Sequence, residues 1–191
     1  MTGTTATLEI RPVTAADAGR LVELHTRCSD QARYLRFHAA KPRLRAVEAD
    51  YLASVDGRAR VALAATTMED GEERIVADAR FDLVGNGDAE GALLIRDDMT
   101  GRGLGSLLLG RLVELAAGLG VRRLLLDILP ENRAMLALAR RAGAEPVGFD
   151  GRSVLYAVAV PQGWSVPVGA GPTTSPTWRR CHSSPGATTP S

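Results

Sequence analysis

The apolar positions of this chain change period several times, and each change marks an element. Leu8-Glu9-Ile10-Arg11-Pro12-Val13 alternates with period two and predicts a first strand. Thr14 then stands as a helix cap. Ala15, Ala16 and Asp17 fill the first turn, where the acid suits the helix dipole. Leu21, Leu24 and Cys28 give that helix its apolar stripe. Ser29 to Pro42 breaks the pattern with aromatic and basic residues. Helical spacing returns at Leu44, Val47, Tyr51 and Leu52, predicting a second helix that ends near Asp56-Gly57. Ala59 to Thr67 and Arg74 to Val84 read as strands joined by the turn Glu69-Asp70-Gly71-Glu72. Gly85-Asn86-Gly87-Asp88 is another hairpin turn, and Gly91 to Ile95 is the next strand. Leu107 to Leu119 is an apolar helix, and Leu124 to Ile128 a short buried strand. Glu131 to Ala142 predicts a helix stopped by Gly143. Glu145 to Phe149 and Ser153 to Val160 form a closing hairpin.

After Val160 the periodicity fades and Pro, Gly, Ser and Thr dominate. Residues 161–191 are therefore expected to be a disordered tail, and residues 8–160 the folded domain. With 45% hydrophobic residues, the chain can bury a real core. Its net charge of +1 gives no general electrostatic case for nucleic acid. The two cysteines, Cys28 and Cys181, lie far apart and read as free thiols. His25, His38 and His182 form no ligand spacing, so no metal is expected. The first residues lack a basic and apolar leader, and no apolar run reaches membrane-spanning length, so the cytoplasm is the expected location.

The candidate chemistry lies where strand 91–95 passes into the helix through Thr100-Gly101-Arg102-Gly103-Leu104-Gly105-Ser106. Glycines there remove side chains where backbone must turn into helix. N–H groups left unpaired at a helix start, with the dipole behind them, bind anions. A phosphate-binding P-loop needs Gly-Lys-Ser/Thr, and here Ser106 follows Gly105 without the lysine. A dinucleotide turn would use Gly101, Gly103 and Ser106, with Asp127 as the ribose acid. However, Arg96 to Thr100 separate the strand from the turn and set two acids beside the pyrophosphate. Acyl-coenzyme A fits better. Its pyrophosphate would rest on the N–H groups of 101–106, and its peptide-like pantetheine arm would pair with Leu93, Leu94 and Ile95 as an added strand. A tight turn without ligand is the remaining alternative.

Thr100 to Gly105 resembles the Q/R-x-x-G-x-G/A loop of the GNAT acyltransferase superfamily. Asn132-Arg133-Ala134-Met135 through Ala139-Arg140-Arg141-Ala142-Gly143 is similar to its Asn-containing last helix. More narrowly, Arg33-Tyr34-Leu35-Arg36-Phe37, Ala89-Glu90-Gly91-Ala92 and Glu131 to Met135 resemble bacterial protein lysine acetyltransferases of the Pat type. The resemblance covers residues 8–160. It implies a mixed α/β fold: a central, twisted, mostly antiparallel sheet of six to seven strands flanked by about four helices. It also implies acetyl-CoA as co-substrate and a primary amine, such as a protein lysine, as acceptor. Three positions depart from the pattern. Thr100 replaces Gln or Arg, Ala139 stands where many members carry a thiolate-protonating tyrosine, and Ala144 replaces a common Phe.

An amine must lose its proton before it can attack a thioester, and a lysine amine at neutral pH is mostly charged. The resemblance places the base at Glu90. The residues alone read Glu90 as solvent-facing after the Asn86-Gly87-Asp88 turn. The expected cofactor-binding residues are Leu93, Leu94, Ile95, Gly101, Arg102, Gly103, Leu104, Gly105, Ser106 and Asn132. An N–H of the Leu93–Ile95 strand would meet the oxyanion. Asn132 would bind the pantetheine, cap its helix, or do both. Asp97 and Asp98 read as a solvated loop. Arg33, Arg36, Lys41 and Arg43 fall in the acceptor-side segment. A catalytically silent acyl-CoA-binding module and a small-molecule amine acetyltransferase are the alternatives to lysine acetylation.

Overall fold

The computed structural model describes residues 8–162. Seven strands form one sheet in the order β1-β2-β3-β4-β5-β7-β6. They are β1 (Glu9–Pro12), β2 (Arg60–Glu69), β3 (Glu72–Gly85), β4 (Asp88–Ile95), β5 (Arg123–Ile128), β6 (Glu145–Phe149) and β7 (Val154–Ala159). Every neighbouring pair is antiparallel except β4 with β5, which is parallel. The helices are α1 (Ala18–Arg27), α2 (Asp30–Phe37), α3 (Ala46–Ala53), α4 (Leu104–Gly118) and α5 (Arg133–Arg141), with short 3-10 turns at Ala15–Asp17 and Asp97–Met99. Among the described residues, no helix is long and apolar enough to cross a membrane. Of the expected tail, residues 163–191 lie outside the described residues.

The two faces of the sheet bury different cores. On one, Leu104, Leu108, Leu109 and Leu112 of α4 and Leu138 and Ala139 of α5 pack on Phe81, Ala89, Leu124, Leu126 and Ile128. On the other, Leu21 and Leu24 of α1 and Ala49 and Ala53 of α3 pack on Ala62, Ala64, Ile75 and Leu94. Alternation along β4 sends Ala89, Leu93 and Ile95 to the first core and Leu94 to the second.

The hairpin turns are two-residue turns built on positive φ. Asp70 and Gly71 have φ of 52° and 80°, and Asn86 and Gly87 have 53° and 75°, the pattern that matches strand twist. Strand β4 starts at Asp88, three residues earlier than the sequence suggests, because Ala89 is buried. Helix α3 stops at Ala53, and Asp56 instead accepts from the N–H groups of Arg58 and Arg60 at 2.8 and 2.9 Å to turn the chain. The largest departure is α2, which fills most of the expected break from Ser29 to Pro42. The Ser29 hydroxyl caps it by accepting from Ala32 N–H at 3.1 Å. The left-handed residue His38, φ 55°, ends it.

Candidate active site

The parallel ladder between β4 and β5 is short. It joins Asp88–Gly91 to Arg123–Leu126 and stops, although β4 runs on to Ile95 and β5 to Ile128. From Ala92 to Ile95, β4 keeps only its β3 partners, Arg80 to Ala77. The two strands therefore separate, and one backbone edge of Leu93, Leu94 and Ile95 faces the opening. Gly91 sits at the point of separation. A Cβ there would lie 3.0 Å from Leu124 Cδ1 and 3.1 Å from Leu126 Cδ2, so glycine lets the β5 leucines close over it. Sequence reasoning passed over Gly91. A lone glycine inside a strand pattern is the signal for such a close approach.

The glycine loop lies at the other end of that free edge, where Gly105 packs on Ile95. Gly101 and Gly103 have φ of 72° and 82°, a region that L side chains rarely adopt. Gly103 caps α4, which begins at Leu104 rather than at Leu107. The first bond of the helical pattern runs from Leu107 N–H to Gly103 C=O at 3.1 Å. The earlier N–H groups, through Ser106, have no intrahelical acceptor. Gly105 serves packing instead. Its φ is not positive, and a Cβ would stand 3.3 Å from Ile95 Cδ1 and 3.4 Å from Leu138 Cδ2. Leu104 is buried in the core, while Gly101, Arg102, Gly103 and Ser106 are exposed. An exposed cradle of unpaired N–H groups at a 15-residue helix start suits a diphosphate. Thr100 does not face it. Its hydroxyl donates back to Asp97 C=O at 2.7 Å.

Glu90 is exposed and lies opposite Asp82 on β3 and Leu125 on β5. By strand alternation it points to the α1–α3 face, one residue before the strands part. The neighbouring charges on that face are matched. Asp78 accepts from Arg80 at 2.9 and 2.7 Å, and Asp82 lies 3.6 Å from Arg60.

Asn132 caps α5, its Oδ1 accepting from Met135 N–H at 3.1 Å. That leaves its amide Nδ2 as a spare donor. Ala139 is wholly buried in the α4-side core. Asp97 and Asp98 are exposed, as expected of a solvated loop, and are paired as well. Asp97 accepts from Ser29 N–H and Oγ–H at 2.8 and 2.7 Å, and Asp98 from Arg96 at 2.6 and 2.9 Å. Arg96 also bridges to Glu69 at 2.6 Å. Of the acceptor-side cations, Arg33 donates to the C=O groups of His25 and Cys28 at 3.1 and 2.6 Å, and Lys41 to Glu48 at 2.8 Å. Arg36 is different. It makes no hydrogen bond or ion pair among the described residues and lies 4.9 Å from the Phe37 ring. Burial pushes its guanidinium down from its ordinary value, against the pull of Asp78, Asp82 and Glu90. Asp127, the ribose acid of the dinucleotide reading, instead lies 3.4 Å from His38 Nδ1. Cys28 is a buried free thiol that burial pushes up to about 11, so it is no nucleophile.

Known proteins are similar to this chain in sequence and in fold. A family model described as an acetyltransferase (GNAT) domain matches residues 7–145. The chain is 34% identical to Acetyltransferase Pat of Mycolicibacterium smegmatis over 160 residues, 83% of this chain and 47% of that protein. It thus spans about half the length of that relative. It is 31% identical to Acetyltransferase PA5475 of Pseudomonas aeruginosa over 135 residues, covering 70% of this chain and 73% of that one. The crystal structure of the GNAT domain of S. lividans PAT superposes with a TM-score of 0.73 at 30% identity, covering 83% of this chain and 99% of that one. The parted parallel strands, the glycine cradle and these likenesses agree, and the chain belongs to the GNAT acetyltransferase family.

Proposed function

We propose that this protein transfers the acetyl group of acetyl-CoA to a primary amine, with the ε-amine of a protein lysine as the acceptor to test first. The observation that carries this reading is the β4–β5 ladder, which ends at Gly91 and Leu126 and leaves the β4 edge free as far as Ile95, against which the glycine loop packs. In this reading the diphosphate rests on the loop. The pantetheine amides pair with the free edge of Leu93, Leu94 and Ile95 and with Asn132 Nδ2. The thioester then lies at the parting of the strands, next to Glu90.

Glu90 takes a proton from the incoming ammonium, directly or through water. The amine nitrogen attacks the thioester carbonyl, and a backbone N–H of β4 receives the oxyanion. The C–S bond breaks, coenzyme A leaves as thiolate, and the nitrogen gives its second proton to solvent. Ala139 offers no phenol there, so the thiolate takes its proton from solvent. The core position of Ala139 and the turned-back hydroxyl of Thr100 favour a second reading, an acyl-CoA-binding module without turnover.

One variant separates the two. Glu90→Gln keeps size and polarity, so acetyl-CoA affinity should hold. Its turnover on lysine peptides at neutral pH should fall by roughly 10²–10⁴-fold, the usual worth of a general base. The deficit should shrink at high pH, where the amine is already neutral. Tight acetyl-CoA binding by wild-type protein without turnover on any amine would favour the module. Full activity in Glu90→Gln would move the base elsewhere.

A further inference from the structure

Helix α2 lies across the ends of the two parted strands, and polar contacts hold it at both of its own ends. Ser29, its cap, gives two hydrogen bonds to Asp97, two residues beyond the end of β4. His38, its last cap, meets Asp127 near the end of β5 at 3.4 Å. The His38 carbonyl also accepts from Arg152 in the β6–β7 turn at 3.2 Å. Eight residues of helix span about 12 Å, enough to bridge two separating strands. Between these anchors Arg33 ties α2 to the His25 and Cys28 carbonyls at the end of α1, at 3.1 and 2.6 Å, and none of the helix's residues is fully buried. Beneath it lies a cavity lined by Leu24, His25, Arg36, Phe37, Asp78 and Leu94. His25 is 1% exposed, and neither of its ring nitrogens has a hydrogen-bond partner.

Asp97 also belongs to the donor side. Its own carbonyl accepts from the N–H and hydroxyl of Thr100 at 3.2 and 2.7 Å, immediately before Gly101. One residue therefore touches the glycine loop with its backbone and the acceptor-side helix with its side chain. On α2, Arg36 has no hydrogen bond or ion pair among the described residues and lines that cavity together with Asp78.

We propose that α2 is a strap across the β4–β5 opening, and that Asp97 and Asp127 are positioning residues that set where Arg36 and the amine acceptor lie relative to the acyl donor. This rests on the acetyl-transfer reading. The donor loop and the strap share Asp97, so ordering the loop with acetyl-CoA also steadies α2. The acceptor then meets a formed site only after the donor has bound.

The test uses the full chain and acetyl-CoA. Amide exchange of Asp30–Phe37 should slow when acetyl-CoA is added to the wild type. In Asp97→Ala that protection should be lost although acetyl-CoA still binds. Exchange in α2 of the apo protein should rise about tenfold in Asp97→Ala, the effect of losing a charge-assisted contact, and by a smaller factor in Asp127→Ala, whose contact with His38 is longer. Asp97→Asn keeps an acceptor oxygen for Ser29 and should recover most of the protection. With poly-L-lysine as acceptor probe, Asp127→Ala should raise KM several-fold while leaving acetyl-CoA affinity and kcat near wild type. Unchanged α2 exchange in both alanine variants would overturn the strap. So would equal loss of acetyl-CoA affinity and acceptor KM, which would mark general loosening. Wild-type protein that binds acetyl-CoA but turns over no amine would sink the catalytic reading alone, and the exchange data would still judge the strap.

Discussion

The two layers that cover this sheet are held by different physics. The core on the α4 side is almost purely apolar, and α4 itself carries only Arg111 and Glu114 as charges, 3.0 Å apart. The α1–α3 side buries Asp17, His25, Asp78 and Arg80. It is laced by ion pairs from Arg11, Arg27, Arg74 and Lys41. In the proposed site the acyl donor would rest on the first layer, whose shape comes from backbone and close packing, and the amine would approach over the second, whose shape comes from charges that must be paired. Apolar burial does not titrate, whereas charge networks respond to pH and are screened by salt. The proposed donor seat would then be the constant part of this molecule and the acceptor side the adjustable one.

The largest predicted effect attacks the donor seat. Gly103 has φ 82° and caps α4 among the unpaired N–H groups. Gly103→Glu would force a side chain into a strained conformation and set a carboxylate where a diphosphate is expected. Acetyl-CoA affinity should fall by about 100-fold or more, two or more charge-assisted bonds' worth. Calorimetry checks it, with circular dichroism to confirm the fold. Unchanged affinity in a folded variant would remove the loop from the site.

The second prediction turns to the other layer. Arg11 grips the wholly buried Asp17 carboxylate at 2.7 and 2.8 Å, and Thr14 adds its N–H at 2.9 Å and its hydroxyl at 3.1 Å. The Arg11 guanidinium holds that carboxyl well below the usual range, and it does the same for Glu73. A carboxyl depressed by folding stabilises above its unfolded value, near 4, and that stability is lost as pH falls from there toward the folded value. Asp17→Asn should therefore cost about 2–3 kcal/mol at neutral pH, by breaking one side of a buried pair. Urea titrations should show the gap between variant and wild type closing as pH drops through about 4 to 3. A gap that stays constant with pH would mean that the loss is one of packing.

The same contrast explains what was legible in the sequence. Leu107 to Leu119 and Leu124 to Ile128 announce themselves by apolar period, and Gly101 and Gly103 by the conformation that only glycine takes easily. Asn132 is readable because capping is a local interaction. Helix α2 is not, since Asp30-Gln31-Ala32-Arg33-Tyr34-Leu35-Arg36-Phe37 has no buried stripe. What fixes it is remote: Asp97 lies 68 positions from Ser29 in sequence, and Asp127 is farther still from His38. Partner choice among 23 basic and 22 acidic residues is a property of the folded arrangement, and no local pattern encodes it. For that reason the exposure of Asp97 and Asp98 is readable and their partners, Ser29 and Arg96, are not.

The smallest predicted effect separates the third glycine of the loop from the first two. Gly105 lies inside α4 with ordinary helical backbone, so alanine there gains about 1 kcal/mol of helix propensity. Against that, its Cβ would stand 3.3 Å from Ile95 Cδ1 and 3.4 Å from Leu138 Cδ2. Both neighbours are tips of flexible side chains and need to yield only a few tenths of an ångström, at a cost of comparable size. Gly105→Ala should thus leave the melting temperature nearly unchanged. Gly101→Ala and Gly103→Ala, at positive φ, should each lose about 1 kcal/mol or more. Ile95 borders the opening, so the Gly105 variant should show its effect in acetyl-CoA affinity, by a few-fold, rather than in stability. A Gly105→Ala protein as unstable as the Gly103 variant would mean that the loop demands three glycines for conformation, and that the packing of α4 on β4 is tighter than these distances allow.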